Sequence, residues 1–210
     1  MKRSIILYAF KRFKALFNSE NSWATYSEYI SIHPSVRLEP GSTINFRFDP
    51  EPGIKYLEIS EGSQIFGHFT FLTKNSRIKV GRNCQIGSSS FICQESISIG
   101  NDALISWGST FIDSDTHSSN VEDRVQDIKD WYAASSDNGF NHESGKNWSK
   151  VVAKPISIED GVWIGFNSII LKGVNIGVNA VIGAGSVVRV NVDEDTTVIG
   201  NPAQVVVRKK

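Results

Sequence analysis

The chain has 210 residues, with 22 basic and 22 acidic side chains and a formal net charge of zero. This length suits one domain with a substantial core, and the balanced charge gives no overall field that would recruit nucleic acid. The two cysteines, Cys84 and Cys93, lack a C-x-x-C spacing and follow no secretory signal, which favours a reduced, cytoplasmic setting.

Residues 1–30 are expected to form an N-terminal segment separate from the domain that follows. Residues 1–19 carry five basic groups and no acid. Apolar side chains recur there at helical spacing, at Ile6, Phe10, Phe13 and Phe17. The pattern predicts a short basic helix, whose apolar stripe either packs on the rest of the protein or touches the inner face of an anionic membrane. Its apolar run is too short for a signal sequence or a membrane span.

Residues 31–210 are expected to form one domain, and its first half carries a weak repeat. Large apolar residues recur there at a spacing of six in four blocks. The blocks are Ile32, Leu38 and Ile44; Ile59, Ile65 and Phe71; Val80, Ile86 and Ile92; and Ile99, Ile105 and Phe111. The joins between blocks are irregular, so bulges or small loops are expected at them.

The stretch 118–154 interrupts the repeat and is expected to be a long inserted loop. It is longer than a structureless loop should be, and it is too aromatic for a disordered linker. Its aromatic residues are Trp131, Tyr132, Phe140 and Trp148. We expect this insertion to fold over the mouth of a cleft.

The C-terminal third has the clearest period. Aliphatic residues recur at every sixth position: Ile158, Ile164, Ile170, Ile176, Ile182 and Val188. A helix needs apolar spacings of three and four, and a half-buried strand alternates, so neither alone explains this pattern. A coil of short parallel strands does, because each hexapeptide supplies one strand and one inward side chain. The alternative, a β-sandwich with chance spacing, is disfavoured by six consecutive matches.

Two motifs in this region carry a family resemblance. The segment 162–188, VWIGFNSIILKGVNIGVNAVIGAGSVV, and IGNPAQVV from Ile199 resemble the signature of the hexapeptide-repeat acyltransferases. Within that superfamily the chain looks most similar to the galactoside, maltose and polysaccharide O-acetyltransferases. The resemblance implies an all-β fold, a left-handed parallel β-helix, although right-handed crossovers are the general rule. It also implies a homotrimer with its active sites in clefts between subunits.

Acyl transfer to a hydroxyl needs one base within hydrogen-bond reach, and histidine is suited to that role. In the resembled family the catalytic histidine occupies the place of His117, after a short acidic turn and before a long excursion. From the residues alone, a solvated loop histidine is the alternative. Asp115 or Asp113 is expected to accept a hydrogen bond from the second ring nitrogen, unless both are turn residues. His142 is the reserve candidate.

The resemblance implies acetyl-CoA as co-substrate and no required metal. By position, seven residues are expected to contact it: Trp163, Phe166, Lys172, Ala184, Gly185, Arg189 and Pro202. Lys172 and Arg189 would meet the phosphates, and Pro202 would lie near the adenine. Alternatively, Trp163 only packs against other residues, and Lys172 and Arg189 are solvated charges at corners of the coil. Phe166 stands where relatives often carry a hydroxyl or amide, which puts that contact in doubt.

The acceptor is expected to be a saccharide, because aromatic faces bind sugar rings and charged groups fix hydroxyls. The candidate residues are Arg124, Trp131, Tyr132 and Trp148. Subunit contacts are the other use for these aromatics. The predicted function is O-acetylation of a sugar in surface polysaccharide or lipopolysaccharide biosynthesis. The alternatives are N-acetylation of a nucleotide-linked amino sugar or an antibiotic, and a binding module without catalysis.

Overall fold

The structure, a computed structural model, describes residues 22–138 and 146–208. The predicted helix over residues 1–19, Phe140 and His142 lie outside these described residues. A short helix, α1 (Ser22–Thr25), and a 3-10 turn (Ser27–Tyr29) lead into the first strand at Ile30. Trp23 packs edge-on against Phe69 at a ring distance of 6.0 Å, so this entry segment covers one end of the core.

The strands wind around a prism with three faces. Face 1 is a six-stranded parallel sheet: β1 (Ile30–Ile32), β4 (Leu57–Ile59), β6 (Arg77–Val80), β8 (Ser96–Ile99), β11 (Ile156–Ile158) and β14 (Asn175–Ile176). Faces 2 and 3 share a twelve-stranded sheet, because two long strands bend over the corner between them. These are β5 (Gln64–Phe71) and β7 (Gln85–Cys93).

The other strands of the second sheet each belong to one face. Face 2 holds β2 (Arg37–Leu38), β9 (Leu104–Ile105), β12 (Trp163–Ile164), β15 (Val181–Ile182), β17 (Thr196–Ile199) and the antiparallel β18 (Gln204–Arg208). Face 3 holds β3 (Thr43–Phe46), β10 (Thr110–Ile112), β13 (Ile169–Leu171) and β16 (Val187–Val188). In the C-terminal half, every third strand returns to the same face, since β11 pairs with β14, β12 with β15 and β13 with β16.

The six-residue period of the sequence is one face of this prism. Ile158 pairs with Ile176, eighteen residues later, so three hexapeptides complete a turn. Ile164, Ile170 and Ile176 are each 0% exposed, which confirms the predicted inward column. The sequence therefore predicted a parallel coil of short strands correctly, while the left hand of that coil stays a prediction.

One core position was predicted wrongly. The period placed Ile92 inside, but Phe91 is the buried residue and Ile92 is only half-buried. The pairing of β5 with β7 shifts register, and a shift of one residue reverses which side chains face inward. Phe91 stacks between Phe69 and Phe111 at ring distances of 5.0 and 4.6 Å, so this shift builds an aromatic column.

The insertion is not the long loop that the sequence predicted, and the fold is accordingly mostly β rather than all-β. It contains an 18-residue helix, α2 (Val121–Asn138), and a 3-10 turn (Trp148–Lys150). Asn120 caps the helix, because its side-chain oxygen accepts the backbone N–H of Asp123 at 3.1 Å. Glu122 and Asp123 in the first turn complement the helix dipole. No helix within the described ranges has the length and apolar character needed to cross a bilayer.

Candidate active site

The insertion leaves and rejoins the β-helix at the corner between faces 3 and 1. Its two ends pair with each other: the Asp115 N–H donates to Val152 O at 3.0 Å, and the Lys154 N–H donates to Asp113 O at 2.9 Å. This short antiparallel contact fixes the root of the insertion to the scaffold. His117 follows two residues beyond it, on a rigid support.

A strained turn presents His117. Thr116 has φ of +56°, a left-handed conformation that is unusual for a β-branched residue. The backbone N–H of His117 and the hydroxyl of Thr116 both donate to Asp115 O, at 2.6 and 2.7 Å. Strain of this kind is concentrated at functional sites.

Helix α2 supplies the partner of the imidazole. Asp127 Oδ2 lies 3.2 Å from His117 Nδ1, and Asp127 is only 7% exposed. Trp131 lies one turn further along the same helix face, and its ring packs edge-on against the imidazole at 5.4 Å. Asp127 is not among the residues predicted from the sequence, because residues 118–154 were expected to form a loop. The cap and acidic first turn of the helix were the available signal.

A buried lysine completes the cluster. The Lys146 side chain is 1% exposed, and its Nζ lies 3.7 Å from Asp127 Oδ2 and 3.3 Å from His117 Nδ1. The same ammonium donates to Thr116 O. It also faces the rings of Trp131 and Trp148, at 5.4 and 4.6 Å from their centroids. Lys146 is likewise not among the residues predicted from the sequence, and no motif marks it.

Nδ1 of His117 lies near both a carboxylate and an ammonium, and the two contacts require opposite tautomers if each is a hydrogen bond. A carboxylate only accepts hydrogen bonds and an ammonium only donates them. If Nδ1–H donates to Asp127, the buried carboxylate gains a donor, and Lys146 keeps Thr116 O and Asp127 as acceptors. The free lone pair then lies on Nε2. In that tautomer Nε2 of His117 can accept a proton.

The two predicted carboxylates have other partners. Asp113 is fully buried and accepts the N–H groups of Gln94 and Glu95, both at 2.7 Å, in the preceding coil. Burial raises the pKa of Asp113, and these backbone hydrogen bonds lower it in part. Asp115 accepts from Lys172 Nζ at 2.5 Å. The carboxylate that pairs with the imidazole is therefore Asp127, and not Asp113 or Asp115.

Several residues predicted to contact acetyl-CoA meet at the corner between faces 2 and 3. Phe166 stacks on Trp107 at 5.8 Å, and both rings are exposed, by 46% and 64%. On the next coil the Gly185 N–H donates to Phe166 O, and Ala184 and Gly185 are exposed. A Cβ built on Gly185 would meet nothing within 4 Å, so the space beside this corner is open.

The remaining cofactor candidates are spread over the prism. Trp163 lies on face 2 and is 50% exposed, and Pro202 follows Gly200, which lies beside Val187 on the last coil. Lys172 and the exposed Arg189 lie beyond face 3, at the His117 corner. Six extended residues separate Phe166 from Lys172, a span of at most roughly 20 Å. The structure thus divides the predicted cofactor residues between two corners.

Of the four residues predicted to bind the acceptor, some lie beside His117 and others do not. Trp131 and Trp148 border the His117 cluster. Arg124 uses its guanidinium to bind the backbone oxygens of Ser118 and Ser119, at 2.9 and 2.7 Å. Tyr132 is 82% exposed on a different side of α2. Only the two tryptophans are therefore next to the candidate base.

Neither a metal site nor a cysteine nucleophile was predicted. Within residues 22–138 and 146–208, no group of three or more His, Cys, Asp or Glu side chains is placed to hold a metal ion. Cys84 and Cys93 are buried free thiols, and burial raises the pKa of each. Both are poorly suited to act as acyl-accepting nucleophiles.

The comparisons with known proteins agree with the repeat and the fold. A family model described as the hexapeptide repeat of succinyl-transferase matches residues 77–110 and 155–189. The polySia-specific acetyltransferase NeuO superposes with a TM-score of 0.63 at 26% identity, over 84% of this chain and 70% of NeuO. AntD, an N-acyltransferase from Bacillus cereus crystallised with a dTDP-amino sugar and coenzyme A, superposes with a TM-score of 0.63 at 18% identity, over 89% and 88% of the two chains.

Among curated proteins, the 2,3,4,5-tetrahydropyridine-2,6-dicarboxylate N-acetyltransferase of Staphylococcus aureus is 46% identical over 54 residues, which is 26% of this chain and 23% of that enzyme. The chain thus spans about a quarter of the length of the curated relatives it matches. In its repeats and its coiled parallel sheets, the chain is similar to the hexapeptide-repeat acetyltransferases.

Proposed function

We propose that this protein is an acetyl-CoA-dependent O-acetyltransferase that acts on a sugar in surface polysaccharide or lipopolysaccharide biosynthesis. One observation carries the proposal: His117 is held by Asp127 at the root of an insertion on a hexapeptide β-helix. The likeness to NeuO, a polySia-specific acetyltransferase, supports a saccharide acceptor.

The proposed chemistry assigns a role to His117 and to Asp127. The acceptor hydroxyl loses its proton to Nε2 of His117 as its oxygen bonds to the acetyl carbonyl carbon. Asp127 accepts from Nδ1–H throughout, which fixes the ring and stabilises the imidazolium. The carbon–sulfur bond breaks as the proton passes from Nε2 to the departing thiolate. The imidazole ends neutral and ready for another turnover.

Acetyl-CoA supplies the acetyl group as a thioester. The open corner formed by Trp107, Phe166 and Gly185 is suited to hold it, because aromatic planes and exposed backbone groups can flank a narrow chain with amides. Lys172 and Arg189 carry positive charge at the other corner and are the proposed partners of its phosphates.

A homotrimer of left-handed coils would bring these two corners together. His117 and Phe166 lie at opposite edges of face 3, so packing one prism edge against the next subunit places a base beside an aromatic corner. Two exposed apolar surfaces support such contacts. One is the Trp107–Trp163–Phe166 surface, and the other is the α2 stripe, defined as Val121, Val125, Ile128 and Tyr132.

Thiol release from acetyl-CoA tests the proposal. The acceptors are methyl β-galactoside, maltose and oligosialic acid, and the variants are His117→Ala and the control His33→Ala, whose exposed ring contacts Ser35. His117→Ala should lower the rate by at least about 10²-fold, with His33→Ala unchanged. Equal rates in wild type and His117→Ala would remove the proposed base.

N-acetylation is the second candidate, favoured by the 46% identity to an N-acetyltransferase over 54 residues. The same assay with dTDP-4-amino-4,6-dideoxyglucose and product mass separates the two. A neutral amine needs less help from a base than a hydroxyl does, so a mild effect of His117→Ala would favour the amine. Binding of a saccharide without any thiol release would indicate a binding module.

A further inference from the structure

Lys146 is a buried charge that the proposed chemistry does not use. Its side chain is 1% exposed, although lysine is among the residues least often buried. Its ammonium lies near the imidazole of the proposed base, His117, and near the carboxylate of Asp127. It also donates a hydrogen bond to the backbone oxygen of Thr116. Removing an ammonium from water is costly unless partners compensate, so these contacts call for an explanation.

The position of Lys146 has an electrostatic consequence for the imidazole. Asp127 alone, 3.2 Å from Nδ1, would stabilise the protonated ring. A protonated imidazole cannot act as a base. An ammonium 3.3 Å from the same nitrogen opposes that protonation.

Other charges near the ring are already engaged. Asp115 pairs with Lys172 at 2.5 Å, and Asp123 accepts from the Ser118 hydroxyl at 2.8 Å. Within residues 22–138 and 146–208, Lys146 and Asp127 are the buried charges that face the imidazole itself, from the segment after α2 and from α2. The imidazole therefore lies beside one buried negative charge and one buried positive charge.

We infer that Lys146 is a positioning residue that balances the charge of Asp127 and keeps His117 unprotonated; this rests on the proposed role of His117 as base. Lys146 touches neither substrate in this role. It lets the carboxylate orient the ring without trapping it as imidazolium. Its two tryptophan neighbours hold the ammonium in place.

The test compares Lys146→Met, Lys146→Arg and the control Lys79→Met, which removes a lysine from an exposed pair with Glu58. Thiol release from acetyl-CoA with oligosialic acid is followed against pH. In Lys146→Met, the acidic limb of the plot of kcat/KM against pH should move to higher pH by about one unit or more. At high pH the rate should return to the wild-type value. Lys146→Arg should restore the wild-type limb. Lys79→Met should match wild type.

If Lys146 had only a structural role, Lys146→Met would lower the rate at every pH without moving the acidic limb of the profile. That result would overturn the inference. NMR titration of His117, assigned with His117→Asn, gives a readout without substrate. In Lys146→Met the imidazole should protonate at higher pH than in wild type. If Lys146→Met does not fold, the wild-type spectrum decides: an Nε2–H tautomer would contradict the arrangement. Wild-type rates in His117→Ala would instead contradict the proposed function, whatever the titration gives.

Discussion

Asp127 Oδ2 lies 3.2 Å from His117 Nδ1, although the two residues come from different elements, a strained turn and the second turn of a helix. The helix begins only four residues after the histidine, and its root is tied to the β-helix by backbone pairing. The insertion therefore supplies the carboxylate that orients the candidate base.

Asp127→Asn should impair turnover more than cofactor binding. An asparagine amide can donate to Nδ1, which would move the ring proton to Nε2 and leave the wrong nitrogen free. We expect kcat to fall by about 10²-fold, with little change in KM for acetyl-CoA. Steady-state kinetics measures both. Asp130→Asn, on the same helix and paired with Gln126, is the matched control. A wild-type kcat in Asp127→Asn would exclude this carboxylate as the orienting group.

Phe166→Ala should weaken cofactor binding and spare turnover. The exposed ring stacks on Trp107 at the corner proposed for the pantetheine chain, and loss of an aromatic contact costs about 1 kcal/mol. KM for acetyl-CoA should rise roughly 5- to 10-fold at that cost, with kcat unchanged. Val206→Ala, at an exposed position on β18, controls for loss of apolar surface. An unchanged KM in Phe166→Ala would place the cofactor elsewhere.

Asp113→Asn should reduce stability in a pH-dependent way. An asparagine can accept from only one of the two N–H groups that Asp113 binds, at a cost of about 2 kcal/mol. Burial raises the pKa of Asp113 in the folded state. The stability linked to this carboxyl is therefore fully present below its unfolded-state pKa of about 3.9, and it is lost as pH rises through the folded pKa.

Urea unfolding of wild type and Asp113→Asn between about pH 4 and pH 7 checks this direction. The stability advantage of wild type should be largest at the acidic end. An advantage that grows towards neutral pH would mean that hydrogen bonding to the ionised form outweighs burial.

Ile128→Glu should weaken assembly. Ile128 is 64% exposed in the middle of the α2 stripe, and a charge buried in an apolar interface is costly. Sedimentation at micromolar concentration should give a trimer for wild type and smaller species for Ile128→Glu. Gln126→Glu, on the same helix, adds the same charge outside the stripe. A monomeric wild type would contradict the proposed trimer, and a trimeric Ile128→Glu would exclude the stripe from its interface.

The sequence by itself determined the coil. A six-residue period fixes which side chains face inward, because each strand repeats the same local choice, and Ile164, Ile170 and Ile176 are buried as predicted. The resemblance to the hexapeptide-repeat acyltransferases also implied His117 as the candidate base, by its place after the acidic turn at the end of the regular coils. Both depend on spacing along the chain.

Only the tertiary structure decided the partners of that histidine. Asp127 and Lys146 reach it across a helix and a return segment, ten and twenty-nine residues away in the chain. No period relates such positions, since their approach depends on how α2 docks. For the same reason Asp113, close in sequence, is drawn to the backbone of the preceding coil, which offers two N–H donors in fixed positions.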